Sequence, residues 1–326
     1  MRKLLVAALV APLALLAACS NTENNAPADN TNQAGGGAGS YGYKIAVVTH
    51  GGPGDTFWSV VKAGAEKAGK DMGDSVSYQS DGDPQKQSQL IDAAVNQKVD
   101  GIVVSMANPD ALKASIQKAV AAGIPVITIN SGQDKSAEFG ALSHVGQDES
   151  VAGEGAGARL KGEGVSKLLC VVHEAGNVGL EQRCSGAKQG LGGTVENLQV
   201  DGKDLQGAQA TIKSKLQADK SINGVLILNP GVAAVAVTAA KEAGSTAKLA
   251  TFDLNPEVIS AINAGTISFA VDQQQYEQGY LPVVMLTLYK ANLNTVGGGR
   301  PVLTGPGFVT KENASQVADL AKAGTR

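Results

Sequence analysis

The sequence has no apolar run long enough to cross a membrane. Its amino-terminal apolar run covers residues 4–16, whereas a spanning helix needs about 20 residues. Arg2-Lys3 precede this run and Leu16-Ala17-Ala18-Cys19 end it, which is typical of an export signal with a lipid-attachment cysteine. We therefore expect a signal peptide over residues 1–18 and a mature chain that works outside the cytoplasm, held at the membrane by lipidated Cys19. An ordinary secretion signal with an incidental Cys19 is the alternative.

The chain has few cysteines and a small net charge. Removing Arg2 and Lys3 with the signal changes the formal net charge from −3 to −5, which favours neither nucleic acid nor an anionic surface as a partner. With Cys19 lipidated, only Cys170 and Cys184 remain. An even pair in an oxidising compartment predicts either a disulfide or two buried free thiols. Residues 19–42 offer almost nothing apolar to bury, so we expect a flexible lipidated linker there.

Recognisable catalytic patterns are also missing. The chain has three histidines, none at metal-ligand spacing, and it has no GxSxG elbow. Residues 153–158 fit the GxGxxA dinucleotide pattern, but they fall inside a predicted helix, where small residues indicate close helix packing. A glycosidase needs paired carboxylates across a cleft, for which only Asp55 and Asp253 are candidates. We therefore predict a protein that is not an enzyme and that holds no cofactor and no metal.

What the chain does contain is a regular alternation of short β-branched runs and longer alanine-rich segments from Tyr43 onward. This alternation is typical of a parallel sheet covered by helices. The predicted strands are residues 44–49, 76–80, 101–105, 125–129, 167–172, 195–200, 224–228, 248–252 and 267–271. The predicted helices are residues 56–70, 84–97, 110–122, 149–161, 180–190, 206–219, 232–243 and 257–264. Because the alternation restarts after residues 162–164, and about 285 residues exceed one core, we predict two similar Rossmann-like, doubly wound α/β domains with a cleft between them.

The segment after the first predicted strand carries the strongest functional signal. Asp55 is followed closely by Phe57 and Trp58, the only tryptophan of the chain. Aromatic faces stack on the C–H faces of sugars and a carboxylate accepts hydrogen bonds from hydroxyl groups, so this trio indicates a neutral polyhydroxylated ligand. The alternative is a Phe57 that packs a helix and a surface Trp58. Phosphate binding is disfavoured, because Asp55 would repel an anion at that helix start.

Other strand ends carry hydrogen-bonding side chains, and ligands of open α/β sheets bind outside the carboxyl ends of strands. Arg offers a rigid donor fork, Asp an acceptor, and Asn or Gln both, which suits vicinal hydroxyl groups. Asn and Asp also favour turns and helix caps, so each residue alone is weak evidence. Together with the aromatic segment, the candidate ligand-binding residues are Asp55, Phe57, Trp58, Ser105, Asn130, Gln147, Arg183, Asn229, Asp253 and Gln273.

The order of these segments resembles that of a known family. From residue 43 to about residue 309 the chain resembles the sugar-binding lipoproteins of bacterial ABC importers, in a layout similar to that of ribose-binding protein. The resemblance rests on residues 55–58, 123–128, 144–148, 183–186, 252–253 and 273–279. It implies a type I periplasmic binding protein fold, in which a cleft closes on one monosaccharide. It also implies stacking by Trp58 and Phe57 and polar contacts from Asp55, Arg183, Asn229, Asp253 and Gln273.

The resemblance further implies three chain crossings that form a hinge. We expect them near residues 147–148, 272–275 and 299–303, with residues 297–299 as a pliable segment. The predicted domains are 43–147 plus 274–302, and 148–273 plus 303–326. A membrane permease would recognise the closed form of a monomeric binding protein.

Two departures from the ribose-binding pattern concern the ligand. Asn130-Ser131 stand where ribose binders have an Asp-Arg pair, and Leu205 stands where they place an aromatic residue. We therefore expect another small sugar or a sugar alcohol. A sensory receptor for a small hydroxylated signal, without transport, is the alternative function.

Overall fold

Two six-stranded sheets form the core of the described chain. The structure, a computed structural model, describes residues 40–52 and 54–326. The predicted signal peptide, Cys19 and residues 20–39 of the predicted linker lie outside these residues. Among the described helices, none has both the length and the apolar composition that crossing a bilayer would require.

The two sheets share one spatial arrangement of strands. The first sheet consists, in spatial order, of β2 (Ser75–Ser80), β1 (Lys44–Thr49), β3 (Gly101–Ser105), β4 (Val126–Ile129), β5 (Ser143–Gln147) and β11 (Val302–Gly305). The second consists of β7 (Thr194–Gln199), β6 (Lys167–Val172), β8 (Gly224–Ile227), β9 (Lys248–Phe252), β10 (Phe269–Asp272) and β12 (Gly307–Thr310). Neighbouring strands run parallel, except that β12 is antiparallel to β10. The predicted doubly wound α/β fold is confirmed.

Helices cover both faces of each sheet. The first sheet carries α1 (Thr56–Met72), α2 (Pro84–Asn96), α3 (Pro109–Ala121), α4 (Gln133–Ser136) and α10 (Gln275–Asn292). The second carries α5 (Glu149–Gly162), α6 (Val178–Leu191), α7 (Leu205–Ala218), α8 (Pro230–Glu242), α9 (Pro256–Ala264) and α11 (Ala314–Lys322). Each sheet with its helices is called a lobe below. Buried apolar side chains fill the layers on both faces of both sheets.

Several elements depart from the predicted ones. Strands β1, β3, β6 and β9 match the prediction residue for residue. Strands β5, β11 and β12 were not predicted, because they are short and interrupted by Gly, His or Gln where a buried strand usually carries β-branched residues. Helices α4, α10 and α11 were not predicted either, and α10 carries Pro282 in its interior, which normally disfavours a helix.

Within residues 40–52 and 54–326, the chain passes between the lobes three times. The crossings follow β5 at Gln147-Asp148, follow β10 between Asp272 and Gln275, and separate β11 from β12 at Pro306. Strand β11 extends to Gly305, beyond the predicted bound at residue 302. The exact domain bounds therefore stay a prediction, while the crossings lie at the carboxyl ends of the sheets.

Residues 153–158, which fit the dinucleotide pattern, lie within α5 and not at a strand end. A side chain at Gly153 would collide with the backbone carbonyl of Arg183 in α6, and one at Gly157 with that of Ala187. Helices α1 and α10 approach each other in the same way, since Gly279 faces the Val61 carbonyl. Close helix packing thus explains Gly153 and Gly157 of the pattern, as predicted from the sequence, whereas Gly155 faces the Phe308 ring of β12.

The structure joins Cys170 of β6 to Cys184 of α6 by a disulfide, with Cα atoms 5.9 Å apart. Both residues are buried in the second lobe. The bond therefore fastens the helix that carries Arg183 to β6, the strand next to the edge strand β7.

Candidate functional site

The carboxyl ends of both sheets face one cavity of about 940 Å³. Its polar lining residues come from both lobes and from the second crossing. Eight of the ten predicted ligand-binding residues line it, namely Asp55, Phe57, Trp58, Asn130, Arg183, Asn229, Asp253 and Gln273. This volume lies in the range of small-molecule sites. Most of the candidates that were chosen because they follow strand ends therefore line one cavity.

An aromatic wall forms the first-lobe side of the cavity. The rings of Phe57 and Trp58 lie 4.9 Å apart, nearly perpendicular to each other, and the His50 ring meets the edge of Trp58 at 4.7 Å. Trp58 is only 7% exposed, because it also packs in the apolar core of the first lobe. The sequence predicts either a stacking Trp58 or a surface one, whereas in the structure Trp58 lines the cavity and also packs in the core.

Asp55 lies beside this wall at the start of α1. Its carboxylate accepts a hydrogen bond from the Phe57 backbone N–H at 2.9 Å and so caps the helix. Burial raises the pKa of Asp55, and the backbone hydrogen bonds oppose that rise. Asp55 thus caps α1 through its Oδ1 atom, and its other carboxylate oxygen stays available to accept a hydrogen bond from a ligand.

A chain of amide and carboxyl groups spans the floor of the cavity from one lobe to the other. Asn130 Nδ2 donates to Gln273 Oε1 at 3.2 Å, and Gln273 Nε2 donates to Asp253 Oδ1 at 2.7 Å. Asn130 and Asp253 both have left-handed backbones, with φ of 62° and 68°. This conformation turns the chain sharply at the strand ends and is uncommon for non-glycine residues. Burial raises the pKa of Asp253 to about 7.

Arg183 enters the cavity from α6. Its guanidinium lies 4.5 Å from the centre of the Phe252 ring and donates through Nε and Nη2 to Glu149, at 2.6 and 2.9 Å. Nη1 has no hydrogen-bond partner within the described chain. The free edge of a held guanidinium is thus available as a donor to a ligand.

Asn229 caps α8, which is the alternative role that the sequence allowed for this residue. Its Oδ1 accepts from the backbone N–H groups of Gly231 and Val232 at 2.8 and 3.1 Å. Because the oxygen is used in this way, its Nδ2 is the group that Asn229 can offer to a ligand.

Three cavity residues that were not predicted from the sequence lie where the two lobes touch, namely His50, Glu174 and Asn177. His50 Nδ1 lies 2.7 Å from Ser105 Oγ, and its Nε2 lies 3.8 Å from Glu174 across the cleft. Asn177 accepts a hydrogen bond from Ser131 Oγ of the first lobe at 3.1 Å. Burial lowers the pKa of His50. All three follow strand ends, so the same rule could have found them.

Two predicted residues do not line the cavity. Ser105 lies behind His50 and accepts its backbone N–H at 3.0 Å. Gln147 is fully buried at the first crossing and donates to Glu149 Oε2 at 2.8 Å. For both residues the geometry favours support of a neighbouring side chain over contact with a ligand.

The outer rim of the cavity is formed by the segment after β7. It includes Asp201, Lys203 and Leu205, and Leu205 is 39% exposed at the start of α7. No described group of three or more His, Cys, Asp or Glu side chains has an arrangement that could hold a metal ion. The cavity is therefore lined by hydrogen-bonding groups, aromatic rings and carboxylates.

The known proteins to which this chain is similar include small-molecule binding proteins. The family model described as "Periplasmic binding protein domain" matches residues 45–292. A solved structure of a carbohydrate transporter from Acidothermus cellulolyticus 11B, in complex with myo-inositol, is 46% identical. The match covers 87% of this chain and 100% of that chain, with a TM-score of 0.86.

Curated relatives are more distant. The ribose import binding protein RbsB of Bacillus subtilis (strain 168) is 28% identical over 229 residues, which are 67% of this chain and 72% of the relative. The xylose/arabinose-binding protein XylF of Sulfolobus acidocaldarius is 26% identical over 243 residues, which are 68% of this chain. The chain matches 60% of the length of that relative.

Proposed function

The chain belongs to the periplasmic binding protein family, and from this premise we propose that it is the solute-binding protein of an ABC importer. Its ligand would be a small neutral polyol or monosaccharide, held in the cavity between the lobes. The observation that carries this proposal is the convergence of aromatic rings from the first lobe and hydrogen-bonding groups from both lobes on one cavity. A binding protein of this kind needs no catalytic group.

The charges of the cavity support a neutral ligand. Asp55, Glu174 and Asp253 bring three carboxyl groups to the lining, and Arg183 is already paired with Glu149. An anionic ligand would meet more carboxyl groups than cations, because Asp201 and Asp204 also line the cavity and Lys203 is the other cationic residue among the described lining residues. Hydroxyl groups, in contrast, can donate to the carboxylates and accept from Arg183 and the amides.

We further propose a cyclic polyol as the ligand, with myo-inositol as the first candidate. The relative from Acidothermus cellulolyticus was solved with myo-inositol and shares 46% of its residues with this chain. Asn130 and Ser131, in place of the charged pair of ribose binders, offer neutral donors and acceptors at the floor of the cavity.

The transport cycle would use closure of the lobes. The ligand would stabilise the closed form through contacts made to both lobes at once, and a membrane permease would recognise that form. We propose lobes close to the predicted bounds, a monomeric protein, and a hinge at the three crossings. We also propose an extracytoplasmic location with Cys19 as the lipid anchor, which the sequence of residues 1–19 supports.

A ligand screen tests the proposal. The chain from Ser20 onward is heated with myo-inositol, ribose, xylose, arabinose, glucose or sorbitol, and hits are titrated by calorimetry. A true ligand at 100 times its Kd should add about 2.7 kcal/mol to the free energy of unfolding. Asp253→Ala should abolish the shift, whereas Asp319→Ala, at an exposed position of α11 outside the cavity lining, should keep it. Absence of a shift with every neutral polyol would refute the proposal.

A further inference from the structure

Glu149 forms a buried ion pair directly behind the cavity. Its carboxylate accepts two hydrogen bonds from Arg183, and the two side chains are 2% and 4% exposed. Glu149 itself does not line the cavity, whereas Arg183 does. Because one carboxylate holds two donors of the rigid, planar guanidinium, the orientation of the guanidinium is fixed.

The same carboxylate is connected to the first crossing between the lobes. Gln147, the last residue of β5, donates through Nε2 to Glu149 Oε2 at 2.8 Å. Its Oε1 is buried close to Gly305, where a Cβ atom would come within 3.2 Å of it. Gly305 in turn lies against Asp272 and Gln273 of the second crossing. All three crossings therefore meet around the Gln147 side chain.

We propose that Glu149 is a positioning residue that aims the guanidinium of Arg183 at the ligand and, through Gln147, joins the ligand site to the crossings between the lobes. This inference rests on the proposed function, because it takes Arg183 as a ligand-binding residue. It also gives Gln147 a role at the hinge in place of a ligand contact.

Glu149 also opposes the effect of Arg183 on the pKa of Asp253. The charged and polar groups that act on the Asp253 carboxyl are Arg183 from α6, Glu149 from α5, Asp272 from β10 and Gln273 from the second crossing. Arg183 and Gln273 lower the pKa of Asp253, while burial, Glu149 and Asp272 raise it. Removing the charge of Glu149 would therefore lower the pKa of Asp253 and release Arg183 to pair with that carboxyl.

Substitution of Glu149 tests the inference with two readouts. In Glu149→Gln the Kd for myo-inositol should rise about tenfold to a hundredfold, because a released guanidinium no longer points at the ligand. The ionisation midpoint of Asp253, followed by carboxyl ¹³C NMR in the ligand-free protein, should move to lower pH. Because exposure of Asp253 to water would lower the midpoint as well, the shift supports the inference only if the urea melt and amide NMR spectrum of the variant match those of the wild type.

Two further variants sharpen the test. Gln147→Met should leave the Asp253 midpoint in place, because the ion pair remains, and should raise Kd less than Glu149→Gln. Asp219→Asn is the matched control, since it breaks the 2.6 Å ion pair with Lys167 in the same lobe, outside the cavity lining. It should change neither readout.

An unchanged Kd together with an unchanged midpoint in Glu149→Gln would overturn the inference. If that variant does not fold, Glu149→Asp decides, because it keeps the charge on a side chain one methylene shorter. An unchanged Kd in Glu149→Asp would then overturn positioning. Since the midpoint is measured without ligand, it tests the effect of Glu149 on the charges of this site even if myo-inositol does not bind and the proposed ligand class is wrong.

Discussion

The buried carboxyl of Asp253 should make both stability and binding depend on pH. Asp253 is 3% exposed, and burial raises its pKa from 3.8 to about 7. The folded protein therefore holds a proton that the unfolded chain loses above pH 3.8. The stabilisation from this proton is complete below pH 3.8 and is lost as the pH rises through about 7. At 1.36 kcal/mol per pKa unit, its size is about 4 kcal/mol.

Ligand affinity should change in the opposite direction. Polyol hydroxyl groups donate to an ionised carboxylate, so binding favours the deprotonated form of Asp253. The Kd should thus fall as the pH rises from 5.5 toward about 7, by at most about tenfold per pH unit, and level off above it. The pKa of His173 lies lowered at about 4 because of burial, which keeps its titration below this window.

Calorimetric titration between pH 5.5 and 8.5, in buffers of different ionisation enthalpy, measures both Kd and the protons released on binding. Asp253→Asn should remove the pH dependence of Kd and the decline of unfolding free energy in urea melts. Asp319→Asn, outside the cavity lining, should retain both. A wild-type Kd that is flat across this range, or an Asp253→Asn protein with the same slope, would refute the assignment.

Other substitutions test the aromatic wall, the disulfide, the shared ligand contact and the anchor. Trp58→Ala should weaken binding and also lower the free energy of unfolding by about 3–5 kcal/mol, because the ring packs in the core; urea melts that match wild type would contradict this. Cys184→Ser should cost about 3 kcal/mol, a difference that should vanish once wild type is reduced; a difference that survives reduction would rule out the disulfide as its cause. Arg183→Met and Asp253→Asn should show non-additive losses of affinity in a double-mutant cycle, whereas strict additivity would show that they act on separate parts of the ligand. Cys19→Ala should give a soluble protein of unchanged affinity or an unprocessed precursor, and a processed form that stays in the membrane fraction would exclude the anchor.

The sequence predicted the elements whose local signals are strong. Strand β3 is a continuous apolar run, and the helix predicted over residues 232–243 matches most of α8, which begins at Pro230, so both are recognisable without tertiary information. Strand β5 contains His144, Gly146 and Gln147 and owes its place to pairing with β4 and β11. Such pairing cannot be inferred from local composition.

The site divides in the same way. Asp55, Trp58 and Asp253 follow strand ends, and this position in the sequence was enough to predict that they line the cavity. The partner of Arg183 could not be predicted, because Glu149 looks like an ordinary acidic residue in the first turn of α5. Its role depends on the approach of α6, which the packing of glycines against backbone carbonyls determines.

The three crossings also constrain the kinetics of folding. Val302 of β11 pairs with Val145 of β5, more than 150 residues earlier in the chain, and α10 completes the core of the first lobe from beyond residue 274. Loop closure over such distances is slow, since its entropic cost precedes the contacts that offset it. Neither lobe is a contiguous segment, so a ribosome must release nearly the whole chain before either core can be completed. The polypeptide should therefore remain unfolded during most of its synthesis, which is the state that export through a narrow channel requires.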